Sequence, residues 1–146
     1  MILQIKEMRV FVDANILVSV LNKEYPLFSD AARILSLNDK SPFEIYTSPI
    51  CLSIAWYFSE KKSGQSLARK KMIILCENIR ISGIEEAGVK QTVANKKIHD
   101  FEDGLEYYSA MQSGCETIIT EDTSDFCFSE IEVMRCVDFL RRYVYK

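Results

Sequence analysis

The stretch Met8-Arg-Val-Phe-Val-Asp13-Ala-Asn15-Ile-Leu-Val-Ser-Val-Leu21 decides the fold. Val10, Phe11 and Val12 form an unbroken run of β-branched and aromatic residues, as expected of a strand buried on both faces of a parallel sheet. The run ends at a carboxylate, Asp13, and Ala14 to Leu21 already reads as apolar helix. An acid at that junction lies just past the carboxyl end of a strand. Open α/β sheets place their ligands there.

Further along the chain, strand and helix signals alternate. Tyr25-Pro26 predicts the start of a second helix running to about Leu37, with proline in its first turn. Phe43 to Thr47 reads as a second strand. Ser48-Pro49 is then an N-cap and first helical residue. The helix that follows, to about Glu60, is almost wholly apolar and is expected to be deeply buried. Lys61 to Gly64 is expected to be a loop, and Gln65 to Glu77 an amphipathic helix with Arg69, Lys70 and Lys71 on its polar side. Asn78 to Ser82 reads as a third short strand and Glu85 to Lys97 as a weaker helix. Asp100 to Gly114 has the acidic first turn and glycine stop of another helix. Thr117 to Thr120 and Ile131 to Met134 are the fourth and fifth strands, and Val137 to Tyr145 a terminal helix. This alternation implies an α/β domain with a mostly parallel sheet of about five strands and helices on both faces. With 146 residues and no repeat or linker, residues 1–146 are expected to form a single domain.

Composition narrows the function. Charged residues make up 27% and the net charge is −3, so the whole molecule is not a general polyanion binder. The five cysteines (Cys51, Cys76, Cys115, Cys127, Cys136) show no metal-binding spacing. They are expected to be reduced thiols in a cytoplasmic protein. No apolar run approaches the length of a membrane span. His99 is the one histidine, which favours oxygen ligands for any metal.

Three places carry carboxylates near element ends: Asp13 after strand one, Asp100 and Asp103 at a helix start, and Asp122 and Asp125 after strand four. Parallel strands share one carboxyl edge, so Asp13 and the Asp122/Asp125 loop can converge. Asp100 and Asp103, three residues apart, share a helix face. Converging carboxylates repel unless protons or a cation neutralise them. Hard oxygen ligands suit Mg²⁺ or Mn²⁺, which bind through few carboxylates plus substrate phosphate. The substrate class that follows is a phosphodiester. Taken singly, each acid has a simpler reading: Asp13 and Asp100-x-x-Asp103 as helix caps, and Asp122 and Asp125 as turn formers. The basic residues Lys61, Lys62, Arg69, Lys70 and Lys71 read as a solvated face. The joint placement is what independent caps do not require.

Arg9-Val-Phe-Val-Asp13-Ala-Asn15, Asp100-Phe-Glu-Asp103 and Thr117-Ile-Ile-Thr120-Glu-Asp-Thr-Ser-Asp125-Phe126 resemble the motifs of PIN-domain proteins, in the family's order and spacing over nearly the whole chain. The resemblance implies a three-layer α/β/α sandwich and a cluster of acids binding Mg²⁺ or Mn²⁺. It also implies a ribonuclease acting on single-stranded or structured RNA, and the toxin role of small bacterial members, with a cognate antitoxin as partner. By the same resemblance Asp13, Asp103 and Asp125 are the catalytic and metal-holding acids, supported by Asp100, Asp122, Asn15 and Thr120. Two positions depart from the pattern. Many such toxins carry a glutamate in the helix after strand two, and that register here holds Ile54; Glu60 is a poor substitute by spacing. The usual Thr-Arg-Asn after strand four is Thr120-Glu121-Asp122. Two alternatives follow: a PIN fold that binds RNA or protein without catalysis, and a phosphohydrolase of haloacid-dehalogenase type, whose Asp-x-Asp is not met by Asp13-Ala-Asn15. The aromatic and apolar residues Phe28, Ile34, Leu35, Trp56, Tyr57 and Phe58 could fill the core or face a second copy or an antitoxin.

Overall fold

A computed structural model describes residues 6–145. Its elements are β1 (Met8–Val12), α1 (Ala14–Leu21), α2 (Leu27–Leu35), β2 (Phe43–Thr47), α3 (Pro49–Ser63) and α4 (Gln65–Asn78). They continue with β3 (Arg80–Ile81), α5 (Glu86–Ala94), α6 (Phe101–Gln112), β4 (Thr117–Ile119), β5 (Glu132–Met134) and α7 (Cys136–Tyr143). Every pairing in the five-stranded sheet is parallel and the strand order is β3-β2-β1-β4-β5. With helices on both faces, this is the expected three-layer α/β/α architecture.

The order matters for function. From β1 the chain steps outward in one direction to β2 and β3, then crosses back to β4 on the other side of β1. The reversal lies between β1 and β4. Helices leave adjacent strands toward opposite sides at such a point and open a crevice at the carboxyl ends. Asp13 directly follows β1 and Thr120 directly follows β4. The two strands are in register as Val12 beside Ile119.

Burial follows the sequence pattern in the central strands. Val10, Phe11, Val12, Ile118 and Ile119 are wholly buried, as continuous apolar runs of a two-faced sheet require. Ile16, Leu17, Ile34, Phe139 and Leu140 close the core from the helices. Ser48 caps α3 by accepting from the Cys51 N–H at 3.2 Å, with Pro49 at the first helical position. Gly114 (φ +72°) ends α6: its N–H reaches the Met111 carbonyl and the Cys115 N–H reaches that of Ala110. That pair of bonds needs a left-handed residue between them.

Four expectations are corrected. The helix α3 is not deeply buried: only Cys51, Ala55 and Ser59 are, while Tyr57 is 58% exposed and Phe58 44%. It also runs on to Ser63 in place of the Lys61–Gly64 loop, because Lys61 and Lys62 are good helix formers and Gly64 at φ +83° supplies the stop. The third strand shrinks to Arg80–Ile81, since α4 extends to Asn78 and β3 pairs on one side only. Helix α2 begins one residue beyond Pro26, which occupies the cap position. The basic face is partly structural as well: the Lys71 ammonium donates to the Leu21 carbonyl at 2.8 Å, and Lys62 to that of Asn22.

Candidate functional site

Asp13 is the hub of the site. It is 8% exposed, and its position at the head of α1 makes it formally the cap of that helix. Its geometry is not that of an ordinary cap, whose oxygen accepts from the second or third helical N–H. Here Oδ1 accepts from the first, Ala14, at 2.6 Å. That leaves Oδ2 turned toward the crevice, where it accepts the Thr120 hydroxyl at 2.8 Å and the Asn15 amide at 3.4 Å. Asn15 Nδ2 also donates to Thr120 Oγ1 at 3.0 Å and to Asp122 Oδ2 at 3.2 Å, and its Oδ1 accepts from the Glu121 N–H. Asn15 and Thr120 thus stitch the end of β1 to the end of β4 and set the orientation of the Asp13 carboxylate.

The other expected acids gather around this hub. Asp100 caps α6 in the ordinary way, accepting from the Asp103 N–H at 3.2 Å, and is exposed. The cap reading therefore holds for Asp100. Asp103, half-buried in the first turn, is different. Burial raises its carboxyl to about 7, aided by the charges of Asp100, Asp125 and Asp13. Asp125 sits in a 3₁₀ turn over Thr123–Phe126, and its carboxyl is also raised, by desolvation and then by Asp122, Asp13 and Asp100. Each acid feels the others. Among the described residues none of these five forms an ion pair with a Lys or Arg.

One acid escaped the sequence reading. Glu106, on α6, is 1% exposed and stands beside Asp13. Its Oε1 accepts the Cys51 thiol of α3 at 3.1 Å, while Oε2 is buried with no hydrogen-bond partner. Burial first, then the charge of Asp13, pushes this carboxyl up to about 10. Ligand atoms of Asp13, Cys51 and Glu106 all lie within 4.8 Å of one another. A signal existed in the sequence: Asp103, Glu106 and Ala110 follow helical spacing, and a glutamate in the same stripe as Tyr107 and Ala110 is out of place for a solvated face. The position of Ile54 is the counterpart of this finding. It lies one turn along α3 from Cys51 and lines a groove with Asn15, Val18, Glu24 and Phe58. Where the related pattern carries an acid, this chain has an apolar residue. Glu106 brings a carboxylate to the same crevice from the facing helix.

The departure at Glu121-Asp122 also has a structural account. Glu121 turns away from the crevice: its Oε2 accepts the Cys136 N–H at the start of α7 (3.0 Å) and its Oε1 pairs with Arg135 at 3.3 Å. Only Asp122 faces the site. His99 is exposed.

Oxygen donors thus crowd one crevice, one carboxylate oxygen among them is buried and unpaired, and among the described residues no Lys or Arg pairs with them. This donor set fits a hard divalent ion. Residues 9–124 match the family model for the PIN domain. Ribonuclease VapC1 of Aquifex aeolicus is 29% identical over 145 residues, covering 92% of this chain and 95% of that protein. The fold is shared by the Mycobacterium tuberculosis toxin VapC20, which cleaves the sarcin-ricin loop. That match has a TM-score of 0.63 and 18% identity, over 84% of this chain and 98% of that one. It is shared equally by VapBC-1 of nontypeable Haemophilus influenzae, with a TM-score of 0.68 and 14% identity over 89% and 99% of the two chains. The family match sets aside the haloacid-dehalogenase alternative. With the acids at the ends of β1, β4 and α6 in one crevice, and the family model spanning β1 to the β4 loop, this chain belongs to the PIN-domain family.

Proposed function

We propose that this protein is a metal-dependent endoribonuclease that hydrolyses RNA phosphodiester bonds as the toxin of a toxin–antitoxin pair. The observation that carries the proposal is the meeting of Asp13, Asp103 and Asp125 at the sheet's reversal point with no Lys or Arg partner among the described residues. Asp13, Asp103 and Asp125 would hold Mg²⁺ or Mn²⁺, with Glu106 as the inner acid that replaces the one missing at Ile54. Asp100 and Asp122 would bind water in the outer shell. A bound divalent ion supplies an activated water and neutralises charge on the phosphodiester during in-line displacement.

The chain's own residues do the positioning. Thr120 and Asn15 hold Oδ2 of Asp13 toward the crevice, and such outer partners commonly set ligand orientation and affinity. The rim, with Asp103 half-buried and Asp122 and Asp125 exposed, leaves the site open to a polymer substrate.

An antitoxin partner is supported by the kind of assembly in which similar folds were solved, the VapBC pair of Haemophilus influenzae among them. It is also supported by an apolar groove of about 600 Å³ lined by Val20, Leu35, Ile74, Leu75 and Ile79. Of the apolar residues read as core or interface, Ile34 and Leu35 belong to the core, and Tyr57 and Phe58 face outward, where a homodimer or the antitoxin would cover them. Among the described residues no helix is long and apolar enough to cross a membrane.

The test is cleavage of single-stranded RNA by the wild type and by Asp13→Asn, with and without EDTA. Cleavage that survives EDTA, or is equal in the mutant, overturns the mechanism. The reading as a binding module without catalysis draws on Ile54. It becomes the better one if no condition gives cleavage and Mn²⁺ leaves the melting temperature unmoved.

A further inference from the structure

The inner end of the crevice differs in chemistry from its rim, since a thiol joins two carboxylates there. We propose that Asp13, Cys51 and Glu106 form a site for a thiophilic divalent cation of the Zn²⁺ or Co²⁺ type, deeper than the oxygen-only position at Asp103 and Asp125. The proposal rests on the nuclease reading only for the location of that outer position.

Three observations carry it. The ligand atoms of the three residues lie within 4.8 Å of one another, and all three side chains are buried. The Cys51 Sγ to Glu106 Oε1 distance is 3.1 Å. Around a tetrahedral ion with ordinary Zn–S and Zn–O bonds that edge is roughly 3.6 Å, so a small opening seats a cation between them. Glu106 Oε2 is buried and unpaired. Leaving such an oxygen without a partner is costly, and a cation between Cys51 and Asp13 would supply one. The residues are also held in place. Cys51 sits in the first turn of α3 below the Ser48 cap, Glu106 lies on the facing α6, and Asp13 is fixed by Ala14 and Thr120.

The ligand set determines which ions enter. Thiolate selects soft and borderline metals, whereas Mg²⁺ is served by oxygen alone. Three protein ligands leave a fourth position for water, as in open zinc sites. On binding, the cation replaces the thiol proton of Cys51 and the carboxyl proton that Glu106 carries.

Co²⁺ is the probe, added to the full chain with the exposed Cys76 and Cys127 changed to Ser so that surface thiols do not contribute. The expected result is a thiolate-to-metal charge-transfer band in the near ultraviolet, which a Co²⁺ ion at the outer oxygen-only position would not give. Cys51→Ser should abolish the band, whereas Asp103→Asn and Asp125→Asn should keep it. Glu106→Gln should lower Co²⁺ affinity by more than about tenfold, the least that an oriented partner of a metal site commonly contributes. This variant decides the question if Cys51→Ser does not fold. Absence of the band in the Cys76→Ser/Cys127→Ser protein overturns the proposal. So does a band that survives Cys51→Ser, or unchanged affinity in Glu106→Gln. The RNA assay reads the outer position separately: a protein with the Co²⁺ band and no cleavage refutes the nuclease and keeps the thiolate site, and the reverse result does the opposite.

Discussion

The two ends of the sheet treat their acids in opposite ways. Toward the amino ends of the strands, Glu44 is taken up by Arg9 at 2.9 Å and Arg80 at 3.2 Å, and Arg80 also holds Asp39 at 2.6 Å. Both bases lie on strands neighbouring β2 or on β1 itself, within reach of Glu44 across the ladder. At the carboxyl ends, Asp13, Asp103, Asp122, Asp125 and Glu106 gather without a single Lys or Arg partner among the described residues. The same sheet therefore pairs its acids with arginine at one end and, among the described residues, leaves them without a basic partner at the other. In place of such pairing, burial and mutual repulsion raise the carboxyls of Asp103 and Glu106, so that protons take up part of the crowding.

The sharpest way to break that contrast is Asp13→Asn. It should reduce RNA cleavage by at least about a hundredfold, the scale of losing one group that stabilises transition-state charge. It should also remove most of the stabilisation by Mn²⁺, which at a hundred times Kd amounts to about 2.7 kcal/mol. A helix cap alone predicts near-neutrality, since Asn caps as well as Asp. Thermal melts with and without Mn²⁺, beside the RNA assay, tell the two apart.

Next comes a test of how the missing acid is compensated. Glu106→Gln should weaken Mn²⁺ binding about tenfold or more while raising the melting temperature of the metal-free protein at pH 7 and above, because a neutral amide needs no proton taken up on burial. Adding Ile54→Glu should restore part of the metal affinity. Titration of the melting temperature with Mn²⁺ reads both, and equal affinity in the wild type and Glu106→Gln would remove Glu106 from the set.

The acid end should also show in the pH dependence. Asp103 has its carboxyl raised from 3.8 to about 7, so the folded chain keeps a proton that the unfolded chain releases. The contribution of Asp103 to the stability of the metal-free protein is then greatest below about pH 4 and falls as pH rises toward 7. Glu106, raised to about 10, continues the decline. A divalent ion replaces those protons, so its stabilising effect should be larger at pH 8 than at pH 5. A flat pH profile without metal would contradict the crowding.

The smallest effect belongs to the other end. Arg80→Ala removes two partly exposed ion pairs, to Asp39 and Glu44, and should cost no more than about 1 kcal/mol for each, with RNA cleavage and Mn²⁺ affinity unchanged. A loss of activity there would mean that the two ends are not independent.

Much of this molecule follows from the chain read alone. The apolar run Val10–Val12 can only be satisfied inside a sheet covered on both faces, and an acid directly after it must lie at the carboxyl edge. The Ser48-Pro49 cap and the Gly114 stop are local devices that work within a few residues, so they are legible without a fold. The tertiary structure decided what local pattern leaves open. Whether Tyr57 and Phe58 face the core depends on how many neighbours cover α3, and its apolar content does not report that number. Glu106 reads as a helix former until α3 packs its Cys51 against it, because helical spacing says which residues share a face and not what that face meets. Glu121 looks like a member of the acidic loop until α7 folds back and gives it the Cys136 N–H. For Glu106 and Glu121 the deciding partner lies 55 and 15 residues away along the chain, distances over which sequence periodicity carries no information about contact.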